Sequence, residues 1–146
     1  IILDSHFRVK VESKILQQSN VVVIYGDDQN STLTALEETK AKFIKIPLLD
    51  NKLNLAELMT YLNKLQINEL WVEAGPNLNG ELLKLGLIDE LVTYIAPNIM
   101  GGNANSMFNA PILEDMKDII KLSLIDLRSI GDDIRIQTKI RKEDVD

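Results

Sequence analysis

Residues 71–92 read WVEAGPNLNGELLKLGLIDELV, and the succession of residue types in this stretch decides the fold. Trp71 and Val72 open it as a buried strand, and Glu73 puts a carboxylate where a further apolar residue would prolong the run. Ala74, Gly75 and Pro76 then make a turn. Asn77–Leu85 carries its apolar residues at helical spacing and is closed by Gly86, the residue type that most easily takes the left-handed conformation ending a helix. Asp89–Ala96, DELVTYIA, is the next strand. Strand, helix and strand in this order predict a right-handed βαβ crossover and a largely parallel sheet.

The rest of the chain extends that pattern in both directions. Ile1–Leu3 and Val21–Tyr25 (VVVIY) are short, β-branched and uninterrupted, as strands covered on both faces tend to be. Ser31–Lys40 offers a Ser/Thr start and a polar helix, and Lys42–Ile46 is a weaker strand stopped by Pro47. Asn54 caps a helix whose Leu55, Leu58, Met59, Leu62 and Leu65 form one apolar stripe. After Met100 the pattern changes. Residues 101–105 read as a loop, and Ile119–Leu127 and Ile134–Ile140 alternate as the arms of an antiparallel hairpin around Gly131-Asp132-Asp133. The expected fold is therefore α/β, a largely parallel central sheet flanked by helices with a C-terminal antiparallel hairpin. The closing RKEDVD reads as a solvated tail.

Composition excludes several kinds of function. The 146 residues are 45% hydrophobic, enough to bury the core of one domain. A formal net charge of −6 speaks against a protein that grips nucleic acid or an anionic membrane by charge, and neither partner is expected. Cysteine is absent. Disulfides, a thiolate metal site and a cysteine nucleophile are thereby excluded, which fits a cytoplasmic setting, and no metal is expected. No segment has the length and apolarity of a bilayer-spanning helix, and the opening carries no signal-peptide pattern. Ile1-Ile2-Leu3 looks like a strand already under way, which suggests a piece of a longer polypeptide.

Candidate chemistry gathers around Glu73. In an open α/β sheet, ligands collect at the carboxyl ends of strands, where the connecting loops meet helix N-termini. Gly75 lets a ligand approach the backbone, Pro76 suits a first helical position, and the unpaired N–H groups of the following turn suit phosphate. Two readings stay open for this turn: an anion cradle, or an ordinary strand-to-helix connection, since the Gly-x4-Gly spacing lacks the Lys-Ser/Thr of a P-loop. Glu73 is likewise either paired with a buried Arg or Lys, or functional. Elsewhere, His6 and Asp27-Asp28 read as solvated loop residues, Gly101-Gly102 as a loop needing positive φ or an opening for a ligand, and Met100, Met107 and Met116 as packing.

Residues 67–102, INELWVEAGPNLNGELLKLGLIDELVTYIAPNIMGG, closely resemble the C-terminal reductase domain of the bifunctional riboflavin biosynthesis protein RibD. There a strand ending in Val-Glu-(Gly/Ala)-Gly-Pro precedes a helix, then (Val/Ile)-Asp-Glu-Leu and an Ile-Ala-Pro-x-x-x-Gly loop. The opening IILDSHFRV is similar to the family's Val-Leu-Asp-Ser-x-x-Arg strand. The resemblance implies a dihydrofolate-reductase-like fold and the NADPH-dependent reduction of 5-amino-6-(5-phosphoribosylamino)uracil to its ribitylamino product. It implies that Glu73 contacts substrate as the candidate catalytic residue. It implies further that Gly75, Pro76, Asn77, Leu78, Asn79, Gly80 and Glu81 line the NADP phosphates and that Ser5 lies on the cofactor side. A homodimer and a zinc deaminase domain on the N-terminal side of the full-length protein are also implied.

The chain departs from the family pattern at its start. The Ser-Leu-Asp-Gly strand, the Ser-Trp segment, the Arg-bearing helix and the Gly-x-x-Thr-Val-x-x-Asp stretch that open the family domain are absent. Residues 1–146 would then be a reductase domain lacking its N-terminal segment and inactive alone if that segment's contacts are required. With no Cys and His6 as the one histidine, the deaminase signature is excluded from this chain. Two other readings fit the same residues: a related pterin or pyrimidine reductase, and a non-catalytic fragment that binds nucleotide or dimerises.

Overall fold

The computed structural model describes residues 1–27, 39–110 and 115–141. The helix expected over Ser31–Lys40 falls almost wholly outside these residues, as do Asp28 and all of the tail beyond Arg141. The chain divides into two compact units, Ile1–Trp71 and Val72–Asp146.

The first unit is built on three parallel strands, β1 (Ile2–Asp4), β2 (Val22–Tyr25) and β3 (Lys42–Lys45), with β2 in the middle. Ile2 lies opposite Val23 and Val23 opposite Phe43, so the β-branched run of β2 is paired along both edges. Val23 and Ile24 are fully buried. Phe7, Leu16, Val21 and Tyr25 join Val23 in the core, and the Phe7 ring meets Tyr25 edge-on with centroids 4.9 Å apart. Phe7 has φ of 52°, a left-handed conformation costing a non-glycine residue about 1–2 kcal/mol. Burying its ring contributes about 1.5–3 kcal/mol, so packing decides the backbone. Asp4 supports the same turn, its Oδ2 accepting from the N–H groups of Arg8 at 2.6 Å and Val9 at 2.7 Å.

Beyond Pro47, a small antiparallel hairpin, β4 (Leu48–Leu49) and β5 (Lys52–Leu53), was not foreshadowed by hydrophobic periodicity. Its turn residues Asp50 and Asn51 both have positive φ, as a two-residue hairpin turn requires. Helix α1 (Leu55–Lys64) follows, with the Asn54 side chain accepting from the N–H groups of Ala56 at 3.1 Å and Glu57 at 3.2 Å. Leu55, Leu58 and Leu62 are buried, whereas Leu65 is half exposed, so the stripe is narrower than its sequence spacing predicts.

One expected strand is not there. Residues 67–75 form no strand ladder with any described residue, and Trp71 is 64% exposed. Apolar residues make a strand only when a neighbouring ladder takes up their N–H and C=O groups, and no described strand does so here.

The second unit contains helix α2 (Pro76–Lys84) and strands β6 (Glu90–Ile95), β7 (Leu122–Ile130) and β8 (Asp133–Ile140). The strands form an antiparallel sheet in the order β6-β8-β7. The hairpin turns at Gly131-Asp132, where Gly131 has φ of 60°, and pairs Ile130 with Asp133. The strand expected over Asp89–Ala96 is present but runs antiparallel to β8, so it belongs with the hairpin. A polar ribbon crosses the sheet. Arg135 donates to Asp126 Oδ2 and to Gln137 Oε1, each at 2.9 Å, and Gln137 donates to Glu90 Oε2 at 2.8 Å. The class is thus α/β, a parallel sheet plus a C-terminal antiparallel hairpin, as expected.

Replacing Asn54 by Ala is expected to lower stability by about 1 kcal/mol through loss of the α1 cap. The check is a urea unfolding curve, with the midpoint falling at constant slope. An unmoved midpoint would show that the buried leucines alone hold the helix.

Candidate functional site

Helix α2 begins at Pro76, whose missing N–H costs nothing at a first helical position. Its N-cap is Gly75, which has no side chain with which to cap the helix. A Cβ added at Gly75 would meet nothing within 4 Å, so the approach to this end of the helix is open. The N–H groups of Asn77 and Leu78 precede the first intrahelical donor, Asn79, which bonds the Gly75 carbonyl at 3.1 Å. Two backbone donors and the positive end of the helix therefore face an open space, the arrangement that receives phosphate or carboxylate.

The side chains of the same turn are engaged elsewhere. Asn77 Oδ1 accepts from Asn109 Nδ2 at 2.8 Å. Asn79 Nδ2 donates to the carbonyls of Ala74 at 3.3 Å and Met107 at 3.1 Å. Gly80 is buried beneath the backbone of Asn109, where an added Cβ would overlap the carbonyl oxygen and lie 2.8 Å from the carbonyl carbon. The structure thus brings Asn77, Asn79 and Gly80 together with the segment Ser106–Asn109. Leu78 and Glu81 complete the expected set on α2 as partly covered residues. Asn109 was not singled out by sequence, and Met107, assigned to packing, is 47% exposed and contributes its carbonyl.

Glu73 stands two residues before the N-cap, outside any strand. It is exposed and makes no hydrogen bond or ion pair among the described residues. The expectation of a buried carboxylate is corrected: without a strand to bury it, no desolvation cost arises and no cationic partner is needed. Its position beside the open helix end is what keeps it a candidate.

Ser5 belongs to the first unit, at the carboxyl end of β1. Its carbonyl accepts from the N–H groups of Gly26 at 3.2 Å and Asp27 at 3.1 Å, tying the ends of β1 and β2. Gly26 has no room for a side chain, because an added Cβ would overlap Leu48. His6, expected in solvent, has its Nδ1 buried without a hydrogen-bond partner among the described residues. Gly101 and Gly102 do not take positive φ, and Met100 and Met116 are each 79% exposed, so neither methionine is packing. An apolar pocket of about 170 Å³ lies between Leu83 of α2, Leu91 of β6, Phe108 and Ile140 of β8. No titratable group lines it, which separates it from the polar helix end. Among the described residues, no cluster of His, Asp or Glu could hold a metal ion.

A parallel α/β sheet, a C-terminal antiparallel hairpin and an open helix N-terminus between them in sequence define a dihydrofolate-reductase-like domain. The profile described as the RibD C-terminal domain matches residues 1–136. Riboflavin biosynthesis protein RibD of Escherichia coli (strain K12) is 37% identical over 134 residues, covering 92% of this chain and 36% of that protein. The 5-amino-6-(5-phosphoribosylamino)uracil reductase of Buchnera aphidicola subsp. Acyrthosiphon pisum is 37% identical over 89 residues, 60% of this chain and 42% of that one. The structure of Acinetobacter baumannii RibD superposes with a TM-score of 0.76 at 31% identity, covering 97% of this chain and 37% of that chain. The chain belongs to the RibD C-terminal domain family. It spans a little over a third of the length of the RibD proteins it matches.

Gly80→Ala gives a direct check on the close approach. In a free helix this change stabilises by about 1 kcal/mol. Here displacing the Asn109 backbone costs about 1–3 kcal/mol, which cancels or exceeds that gain, so a net loss of up to about 2 kcal/mol is expected. Thermal unfolding of the two proteins decides it, and a higher Tm for the alanine variant would mean that Asn109 does not sit over Gly80.

Proposed function

We propose that this chain is the NADPH-dependent reductase part of a riboflavin-pathway enzyme, acting on 5-amino-6-(5-phosphoribosylamino)uracil in the cytoplasm. The observation that carries the reading is the uncapped, open end of α2 with Glu73 beside it, inside the block shared with the RibD family. The N–H groups of Asn77 and Leu78 fit a dinucleotide phosphate, holding it by helix-end donors without a Lys or Arg. When bound, the dinucleotide supplies the hydride that reduces the opened ribose of the substrate. Glu73, without a partner among the described residues, accepts hydrogen bonds from the ribosyl hydroxyls and orients the acceptor carbon. Ser5, on the first unit, is proposed on the cofactor side by the family match of the Leu3-Asp4-Ser5 strand.

The full-length protein is proposed to carry a zinc deaminase domain, a reading supported by the share of RibD that this chain leaves uncovered. Self-association is proposed through the hairpin, where Leu124, Leu127 and Ile134 lie exposed on β7 and β8. Glu73→Gln is expected to reduce kcat by roughly a hundredfold, the scale of a lost positioning contact, and to leave NADPH affinity within a factor of about two. Steady-state turnover and calorimetric titration with NADPH, with NADH as control, measure the two effects. Unchanged turnover would remove Glu73 from the mechanism.

A further inference from the structure

Asn109 lies outside every motif that points to the cofactor, yet it is bound to the first turn of α2 at two points. Its backbone N–H donates to the Pro76 carbonyl at 2.8 Å, and its Nδ2 donates to Asn77 Oδ1 at 2.8 Å. Ser106 Oγ bonds the Phe108 carbonyl at 3.0 Å, tightening the loop that presents Asn109, and Asn79 anchors that loop through Met107. The Asn109–Asn77 pair is exposed, so water competes with it and it adds little to folding stability. Its effect is on where the Asn77 carboxamide points. An asparagine in a first helical turn otherwise bonds local backbone N–H groups, the same donors left open at this end.

We infer that Asn109 is a positioning residue for the cofactor end of α2, holding the Asn77 carboxamide outward so that the first-turn N–H groups stay open to an anion. This rests on the dinucleotide reading given above. In Asn109→Ala, the released carboxamide turns back on those donors and competes with the phosphate. Calorimetric titration is expected to show NADPH binding weakened about tenfold, the weight of one such hydrogen bond. The double variant Asn77→Ala/Asn109→Ala keeps the backbone N–H at position 77 and removes only the competing carboxamide, so its affinity is expected to return to within about threefold of the parent. Asn109→Ser, too short to reach Asn77, is expected to behave as Asn109→Ala. Parental affinity in Asn109→Ala, or a double variant as weak as the single, overturns the inference. If the parent chain binds no NADPH, the cofactor reading fails and amide hydrogen exchange decides the latch. Slower exchange at Asn77 and Leu78 in Asn109→Ala supports it, and equal rates overturn it.

Discussion

The second unit is organised by a space that is too small for a side chain. The backbone of Asn109 occupies the volume that a Cβ at position 80 would fill, and only glycine permits that approach. Once the loop is seated there, Asn77 and Asn79 have partners within reach and spend their amides on it. The helix end is then left with backbone donors alone. The phosphate cradle proposed for this turn rests on such donors, which respond to charge and size more than to any particular side-chain chemistry.

How much of this could be read from residue order depended on whether the cause was local. Gly86 closing α2, Asn54 capping α1 and Gly131 turning the hairpin act within a few residues, and each was legible in the sequence. The family of the chain was legible for the same reason, since the Glu73–Glu81 block is continuous. Trp71 and Val72 have the composition of a buried strand, but strand formation needs a neighbour, and composition carries no information about whether one is present. The burial inferred for Glu73 failed with it. Asn109 could not be read at all, because its partner Asn77 is 32 positions away and an Asn before Ala-Pro looks like any other loop residue.

The first unit solves a similar problem by different means. Its parallel strands end where Ser5 and Gly26 meet, and again a glycine makes room, here for Leu48. Asp4 then gathers the N–H groups of Arg8 and Val9, so the turn that follows β1 is tied down by one carboxylate and one buried aromatic ring. Ser5 sits between these fixed points. The backbone on either side of it is therefore held by hydrogen bonds and packing.

Strand β8 is the seam of its sheet, paired with β7 on one edge and β6 on the other, and the two pairings differ in the length of chain they must close. Joining β7 to β8 closes only the Gly131-Asp132 turn, whereas Glu90 and Gln137, which meet across β6 and β8, are 47 positions apart. Loop-closure entropy orders these events: the hairpin is the inexpensive nucleus, and β6 docks after it. In the interval the far edge of β8 offers an unpaired row of N–H and C=O groups to any extended chain nearby. During synthesis, β6 is made before β8 exists, so the docking strand waits for its template.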